Sequence, residues 1–310
     1  MRIRNIFYVI LFVLLTSCTP EPSITLPVGI MLLQGIDTNG LLSPLWSPDG
    51  ANILASYVIK ANPENNSYFD KPRRDIVLIN PETGHLSIFL SVKTGNLFAK
   101  AWSPDSKSFA MFWSGGPYED DIYVFDVNDE KRDYDHMDIP FDGEMSSDWK
   151  QYASIYFAYL WITDTQYRNV QKYKLPFSGS WEISDWSSDT NLLALIYGNG
   201  EQYGFENIYL FDKNSGDFTQ FTFDDKYFKY SAKISPNGRL IAYIMWRFHN
   251  NEVEKKLLIS RLDNSYQWTM PIDNIMDYAW SPDNERMFII CRDEVYVAEL
   301  STLFDSIFSN

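Results

Sequence analysis

Few side chains in this 310-residue sequence have the types and spacing that catalysis or metal binding would need. His85, His136 and His249 fall at unrelated places along the chain, so they do not predict a three-histidine metal site. There is no H-E-x-x-H motif and no G-x-S-x-G motif, and Gly179-Ser180-Trp181 lacks the surrounding glycines of a nucleophile turn. We therefore predict no catalytic residue, no bound metal and no cofactor.

An acidic stretch offers oxygen ligands of the kind that Ca²⁺ prefers. Its carboxylates belong to Asp126, Asp129, Glu130, Asp133, Asp135 and Asp138. Their spacing matches no EF-hand, and the turn glycine of such a loop is absent. A solvated turn between two strands is the favoured interpretation, and a Ca²⁺ site is the alternative.

The first residues of the chain indicate a covalent modification at Cys18. Arg2 and Arg4 precede an apolar run, Ile6–Leu15, which is shorter than the roughly 20 residues of a membrane-spanning helix. Such a run is typical of a secretory signal peptide. It ends in Leu-Thr-Ser-Cys18, which resembles the lipobox of bacterial lipoproteins.

This resemblance implies a lipoprotein signal peptide at residues 1–17 and acyl chains on Cys18. Residues 18–27, which contain three prolines, would then form a tether between the lipid and the domain. Two or three acyl chains hold a protein stably on a membrane. We expect a lipid-anchored, extracytoplasmic protein of the bacterial cell envelope, on the periplasmic or the cell-surface side. An ordinary signal peptide or an uncleaved anchor is the alternative.

Composition and charge exclude several classes of protein. The chain has 26 Lys+Arg against 41 Asp+Glu, and its net charge of −15 becomes −17 if Arg2 and Arg4 leave with the signal peptide. A phosphate backbone would repel this charge, so we expect no nucleic-acid partner. With 45% hydrophobic and 16% aromatic residues the chain is not disordered, and two cysteines exclude a disulfide scaffold. Cys291, in an apolar run, is predicted to be a buried, unreactive thiol.

Residues 28–310 are dominated by an internal repeat of the form Trp-Ser-Pro-Asp-Gly. The repeated serines lie at positions 47, 103, 146, 187, 235 and 281. The spacing of 41 to 56 residues suits a propeller blade of four strands. The structural residues of these turns are Trp46, Asp49, Trp102, Asp105, Asp148, Trp186, Asp189, Asn237, Trp280 and Asp283. Each Asp or Asn is expected to accept hydrogen bonds within its own turn, and each Trp to pack between blades.

The residues after each turn predict the remaining strands of a blade. An alanine follows the serine by seven residues in four copies, and Ala55 comes one residue late in the first. Runs such as Ile208-Tyr-Leu-Phe-Asp212 then recur, followed by Gly, Asn or Pro turns. We therefore predict an all-β chain with very little helix, a single propeller domain of six four-stranded blades. The blades should start near residues 41, 97, 141, 181, 229 and 275.

These repeats resemble the WD40-like (PD40) β-propeller repeats of TolB, over roughly residues 28–303. The resemblance implies a six-bladed β-propeller, but it carries little information on function. TolB has an α/β domain ahead of its propeller where this sequence has a short tether, so its role and partner are not transferred. Gly29–Gln34 is an apolar segment that we expect to complete blade six as its fourth strand, and 303–308 is the alternative.

Several long insertions should lie on one face of the propeller, opposite the Ser-Pro-Asp turns, because they join the second and third strands of the blades or connect blades. Loops on a rigid scaffold often carry binding residues. The aromatic side chains in these segments form the candidate binding face: Tyr68, Phe69, Trp113, Tyr118, Tyr203, Phe205, Tyr227, Phe228, Trp246 and Phe248. Packing of these rings beneath their own loops is the alternative.

Three functions are compatible with these observations. The favoured one is a membrane-anchored, non-enzymatic scaffold that binds a protein or a glycan through the candidate binding face. The second is a propeller-type glycan lyase or hydrolase, for which a convergent catalytic set is missing. The third is a structural subunit of an envelope complex. Nothing in the sequence requires an obligate oligomer.

The lipobox yields a direct prediction. Substitution Cys18→Ala removes the acylated thiol, so metabolic labelling with palmitate should be lost from the protein in cells. A Cys291→Ala variant serves as the matched control and should label like the wild type. Labelling that persists in Cys18→Ala would refute the anchor.

Overall fold

The computed structural model describes residues 27–59, 73–92, 96–114, 121–129, 134–137, 143–166, 168–187, 190–199, 206–224, 227–249 and 252–304. Several residues singled out above lie outside these ranges: Cys18, Tyr68, Phe69, Tyr118, Glu130, Asp133, Asp138, Asp189, Tyr203 and Phe205. The described ranges contain 24 strands and one short helix.

The first half of the described chain contains thirteen strands. They are β1 (Ile30–Leu33), β2 (Leu41–Trp46), β3 (Ile53–Ile59), β4 (Arg73–Ile79), β5 (Leu86–Val92), β6 (Asn96–Trp102), β7 (Ser108–Ser114), β8 (Asp121–Asp126), β9 (Tyr134–Met137), β10 (Glu144–Met145), β11 (Gln151–Tyr156), β12 (Tyr159–Asp164) and β13 (Gln171–Lys174).

The second half contains eleven strands and the helix. They are β14 (Ser180–Trp186), β15 (Leu192–Gly198), β16 (Glu206–Asp212), β17 (Asp217–Gln220), β18 (Phe228–Ile234), β19 (Leu240–His249), β20 (Glu252–Arg261), β21 (Gln267–Thr269), β22 (Ile275–Trp280), β23 (Arg286–Cys291), β24 (Val295–Glu299) and α1 (Leu300–Leu303).

The strands form six antiparallel four-stranded sheets, which confirms the six-bladed propeller. Blades one to five take their strands in chain order, from β2–β5 to β18–β21. The first strand of each blade is innermost, and the six first strands contact one another around a ring that closes between β2 and β22. The expectation of very little helix is also confirmed, because α1 has four residues. Within the described ranges, no helix has the length and apolarity needed to cross a membrane.

Blade six is completed by the N-terminal segment, as predicted. β1 pairs antiparallel with β24, and Ile30 lies opposite Ala298 while Leu33 lies opposite Val295. The sheet order is therefore β22, β23, β24, β1. The N-terminal and C-terminal segments of the domain are thus hydrogen-bonded in one sheet, and β1 covers the edge that β24 would otherwise expose.

The hydrophobic core lies between the blades rather than at the centre. Among the described residues, six buried clusters occur, one between each pair of neighbouring blades. Alternate residues of one strand point to opposite neighbours, since side chains on a strand alternate between faces. Phe109 and Met111, for example, pack against blade one, whereas Ala110 packs against blade three. Each sheet is thus buried on both sides.

The late alanine of the first repeat, Ala55, has a structural explanation. The residue seven positions after Ser47 is Leu54, which lies opposite Leu45 and packs against blade two. Ala110 occupies the matching position in blade two, opposite Ala101. Ala55 points the other way, into the cluster between blades six and one. The first blade therefore has a leucine in place of the repeated alanine, and Ala55 is not its equivalent.

The Ser-Pro-Asp turns are held by one recurring set of hydrogen bonds. The Ser47 hydroxyl donates to Asp49 Oδ1 over 2.7 Å and accepts from the Asn52 N–H over 2.9 Å, while Asp49 Oδ1 accepts from the Ala51 N–H over 3.0 Å. The turns at Ser103, Ser146, Ser235 and Ser281 repeat this set. In one of them, bonds from the Ser103 hydroxyl and the Lys107 N–H lower the pKa of Asp105.

Neighbouring turns are also linked to each other, which places them on one side of the ring. The Asp49 N–H donates to Ser106 Oγ of the next blade, and the Asn237 N–H donates to Asn284 Oδ1. We call the side that carries these turns and the turns between third and fourth strands the turn face. The opposite side carries the hairpins between second and third strands and the connections between blades, and we call it the loop face.

Two tryptophans of the repeat tie one blade to the next. Trp102 Nε1 donates to the carbonyl of Leu45 in blade one, and Trp280 Nε1 donates to that of Lys233 in blade five, both over 3.0 Å. Trp46 instead bonds its own turn, at Gly50. The indoles thus bury apolar area and satisfy their one donor at the blade boundary.

The ring closure predicts a large effect for one side chain of β1. Leu33 is 4% exposed and packs between blades six and one, so Leu33→Ala should lower the free energy of unfolding by about 2–5 kcal/mol. Met31 lies in the same strand but is 41% exposed, and Met31→Ala should change stability by less than about 0.5 kcal/mol. Urea unfolding followed by tryptophan fluorescence measures both. Equal effects would contradict the role of β1.

Candidate functional site

A channel runs through the centre of the ring and is lined by the first strands of all six blades. Its volume is about 1010 Å³. Five of the six first strands have a shift of register, of the kind a β-bulge produces, along the channel wall. A bulge leaves a residue unpaired and re-aims its side chain. Lys100 and Ser184 sit at two of these bulges, and Ser43 and Ser231 sit at two others with φ of 52° and 50°.

Polar groups in the channel bond across blade boundaries. Lys233 Nζ of blade five lies 3.2 Å from Asp277 Oδ1 of blade six. Asp277 also accepts from the Ser231 hydroxyl over 3.2 Å and from the Ser43 N–H of blade one over 3.0 Å. This one carboxylate therefore links three consecutive blades, five, six and one.

A second ion pair joins blades two and three. Lys100 Nζ lies 3.5 Å from Glu144 Oε1 and donates to the Gly143 carbonyl over 3.3 Å. The pair is only partly buried, so its own contribution to stability is modest. The two lysines of the channel are thus both engaged with a carboxylate of the following blade.

Asp185 links blades four and five, and its pKa is strongly raised. Its Oδ2 accepts from the Ile234 N–H over 2.7 Å. Burial and, to a lesser extent, the charge of Glu144 raise the pKa of Asp185 to about 7, against the opposing effects of the Ile234 N–H bond and of Lys233. The Glu182 side chain is exposed to the channel. Desolvation by the surrounding protein and the charge of Glu144 nevertheless raise its pKa as well. Asp185 can therefore exchange a proton with channel solvent near neutral pH.

Sequence reasoning missed these channel residues, although a signal was present. Glu144, Asp185 and Lys233 each stand one residue before the tryptophan position of the repeat, where blades one, two and six have Leu45, Ala101 and Ala279. A charge at an otherwise apolar repeat position marks the channel wall. In the described part of the chain, no three His, Cys, Asp or Glu side chains are arranged to hold a metal ion.

The candidate aromatic residues within the described ranges lie on the loop face, and the structure brings three of them together. Phe228 stacks on Trp246 at 4.6 Å between ring centroids, and Trp246 meets Phe248 edge-on at 5.5 Å. Tyr227 lies on the other side of the same hairpin, beneath the Arg247 guanidinium at 4.7 Å. Trp113 is separate, in blade two, with its ring 5.3 Å from Tyr123.

The segment that carries Trp246 and Phe248 is a hairpin rather than the predicted loop. β19 and β20 have ten residues each and stay paired from Leu240 opposite Arg261 to His249 opposite Glu252. Alternation along the strands puts Trp246 and Phe248 on one side and Arg247 on the other. The Arg247–Glu254 ion pair at 2.7 Å and Lys256–Glu254 at 2.6 Å brace that second side. The rings are therefore presented on a regular two-stranded support.

The loop face also contains exposed aromatic residues that sequence reasoning missed. Phe157 is at the tip of the tight turn between β11 and β12, is 84% exposed and has a φ of 53°. Tyr156 and Tyr159 flank it, with the Tyr156 ring 4.4 Å from that of Phe157. Tight hairpin turns normally place Asn or Gly at positive φ. The signal was three aromatics around a turn without either residue.

Two further phenylalanines stand in connections between blades on the same face. Phe177 follows blade three and is 52% exposed, and Phe223 follows blade four and is 73% exposed. Two hydrogen bonds from blade four hold the connection at Phe177. Trp181 Nε1 donates to the Phe177 carbonyl, and the Tyr197 hydroxyl donates to the Ser178 carbonyl. We define the aromatic arc as the exposed rings on the loop face of blades three to five: Tyr156, Phe157, Tyr159, Phe177, Phe223 and Phe248.

Cys291 is buried, as its sequence context indicated. It is a free cysteine in the cluster between blades five and six. Burial, with the charges of Glu294 and Asp273, raises the pKa of its thiol to about 12. A thiol with this pKa has almost no thiolate at neutral pH and is a poor nucleophile.

Comparison with known proteins supports the fold. No family model matches the sequence, and no curated protein matches it. TolB from Acinetobacter baumannii has a similar structure, with a TM-score of 0.54 and 16% identity over 79% of this chain and 63% of that one, so under two thirds of that protein is matched. A putative TolB from Agrobacterium tumefaciens gives a TM-score of 0.55 at 16% identity over 87% and 96% of the two chains.

An enzyme is found among the similar structures as well. An oligogalacturonate lyase from Vibrio parahaemolyticus gives a TM-score of 0.55 at 11% identity over 87% of this chain and 93% of that one. At these identities the similarity establishes a TolB-like propeller fold and leaves the function open, because one fold serves many functions.

The Asp185 environment predicts a pH dependence of stability. The pKa of Asp185 is about 7 in the folded protein against 3.8 for the ordinary group, so its favourable contribution is complete below about pH 4 and is lost as the pH rises through 7. Asp185→Asn keeps an acceptor for the Ile234 N–H but cannot ionise. The melting temperature of Asp185→Asn, measured relative to that of the wild type, should therefore rise as the pH increases from about 5 to about 8.5.

The matched control is Glu285→Gln, which alters an exposed carboxylate on the turn face. Its melting temperature should follow that of the wild type across the same pH range. If the melting temperatures of the wild type and Asp185→Asn changed in parallel with pH, the channel would not raise the pKa of the Asp185 carboxyl.

Proposed function

We propose that this protein is a lipid-anchored scaffold of the bacterial cell envelope that binds a partner through the aromatic arc. The observation that carries this proposal is the uneven distribution of exposed rings. In the described ranges, Phe157, Phe223 and Phe248 on the loop face are each more than two thirds exposed. Exposed apolar side chains concentrated on one face are typical of a binding surface.

The turn face differs in this respect. Its large exposed hydrophobic side chains, among the described residues, are Val28, Val170 and Tyr266, and one of these three is aromatic. Its turns are instead occupied by aspartates and asparagines whose oxygens are used in their own hydrogen bonds. The contrast between the two faces favours the loop face as the one that engages a partner.

A protein partner fits the arc better than a glycan does. Four of its six rings are phenylalanines, which offer large contact area but no hydrogen-bonding group. Protein interfaces take aromatic anchors into apolar pockets. A sugar presents hydroxyl groups and would need donors and acceptors beside the rings. The TolB-like fold is compatible with a binding role, and the sequence of Leu15–Cys18 supports the envelope location and the anchor.

Capture from detergent-solubilised envelope tests the proposal. The bait is the tagged full chain, compared with a Phe157→Ala/Phe248→Ala variant in which two exposed rings of the arc are removed. Loss of two interface anchors should reduce recovery of the partner by about tenfold or more, since each anchor is worth about 1 kcal/mol or more.

The matched control is Val170→Ala/Tyr266→Ala, which removes two exposed side chains from the turn face. Recovery with this variant should equal that of the wild type, and thermal unfolding should show that both variants fold. Equal recovery with all three baits would refute the arc as the binding surface. Retention on isolated cell-wall glycan instead of a protein would favour the glycan alternative.

A further inference from the structure

The direction of β1 fixes the side of the propeller from which the N-terminal tether leaves. β24 begins at Val295, directly after the loop-face turn of blade six, and ends at Glu299 on the turn face. Because β1 runs antiparallel to β24, its first residue, Ile30, is at the turn-face end, opposite Ala298. The chain therefore enters β1 from the turn face and leaves it on the loop face.

Contacts around the start of β1 hold the chain at this position. The Glu299 N–H donates to the Gly29 carbonyl over 2.7 Å, and the Leu300 N–H donates to the carbonyl of Glu285, in the Ser-Pro-Asp turn of blade six. Gly29 has a φ of 89°, and a Cβ there would lie 2.9 Å from the Cβ of Thr302. Gly29 is therefore held at the turn-face end of β24, and Pro27 and Val28, which precede it, are exposed.

The tether between this point and Cys18 can reach the level of the loop face only in an extended conformation. Residues 18–27 number ten, and an extended chain of ten residues spans at most about 35 Å. Seven-residue strands such as β3 and β4 are about 23 Å long, and the ten-residue hairpin of blade five is about 33 Å long. A membrane beyond the loop face would require the tether to run back along the full height of a blade.

The aromatic arc could in principle insert into lipid rather than bind a protein. Exposed Phe and Tyr side chains are found on membrane-inserting surfaces as well as on protein interfaces. For this protein, however, the arc lies on the face opposite the tether. An anchored propeller would have to invert, against its own tether, before Phe157 or Phe248 reached the bilayer.

We propose that the anchored protein stands with its turn face toward the bilayer and displays the aromatic arc away from the membrane, to a protein partner. This rests on the lipid anchor of the proposed function. The turn face offers few apolar side chains that could adhere to lipid, since its large, hydrophobic and exposed residues in the described ranges are Val28, Val170 and Tyr266. The orientation is set by the exit point of the tether.

Energy transfer from single labelled sites to dye-bearing lipid tests this orientation. The full-length protein, processed in cells and reconstituted in phosphatidylcholine–phosphatidylglycerol vesicles, receives one label at either Phe157→Cys or Tyr266→Cys. Both sites are exposed turn positions, on the loop face and the turn face respectively, and Cys291 is buried. Transfer to a headgroup-labelled lipid should be severalfold higher from position 266. Equal transfer, or higher transfer from position 157, would overturn the proposal.

A second arm separates the exit geometry from the lipid anchor. A chain beginning at Thr19 with an N-terminal hexahistidine tag is held on vesicles that contain a nickel-chelating lipid, and the same two sites are compared. If the processed protein floats with vesicles equally well with and without Cys18→Ala, the anchor is wrong and the proposal falls with it. Higher transfer from position 266 in the nickel arm then shows that the exit point itself was assigned correctly, and higher transfer from position 157 shows that it was not.

Discussion

Every blade of this propeller buries both faces of its sheet against a neighbouring blade. The apolar residues of one strand divide between two inter-blade clusters, as Leu54 and Ala55 do on β3. A blade that lacked a neighbour would therefore expose half of its hydrophobic side chains to water. This makes closure of the ring a condition for burying the core of every blade, much as stacking is a condition of stability in other repeat architectures.

Closure is achieved by more than hydrophobic packing. The N-terminal strand β1 completes the last sheet, and polar groups in the channel bond across several of the blade boundaries, as Lys233, Asp277 and Ser43 do. Both channel lysines, Lys100 and Lys233, are paired with a carboxylate of the following blade. Asp185 differs from these groups because its burial raises its pKa to about 7. The bonds across blade boundaries contribute to holding the ring together.

The two faces of the disc are divided by the same topology. The Ser-containing turns lie on one face, and in the five turns at Ser47, Ser103, Ser146, Ser235 and Ser281 the Asp or Asn side chain bonds within its own turn. The hairpins and connections on the other face vary from blade to blade and carry the exposed rings of Phe157, Phe223 and Phe248. A rigid, repeated scaffold with variable loops on one side is an arrangement that suits recognition. The chain enters β1 from the turn face as a consequence of the antiparallel pairing of β1 with β24.

The sequence by itself determined the repeat, and with it the fold. The spacing of six Ser-containing turns, the Trp and Asp of each turn, and the apolar segment at 29–34 were sufficient to predict six blades and their closure. These features are local or periodic, so they can be recognised without knowing which distant residues are in contact. The buried state of Cys291 followed from its apolar run in the same way.

Only the tertiary structure decided which residues meet. Asp185 and Ile234 are 49 positions apart, and Lys233 and Asp277 are 44 apart, and each pair forms because the ring brings consecutive first strands side by side. The sequence placed Trp246 and Phe248 in a long insertion, and cross-strand pairing of β19 with β20 made that segment a regular hairpin. It also overlooked Phe157, because exposure at a turn tip depends on what surrounds the turn rather than on the turn residues themselves.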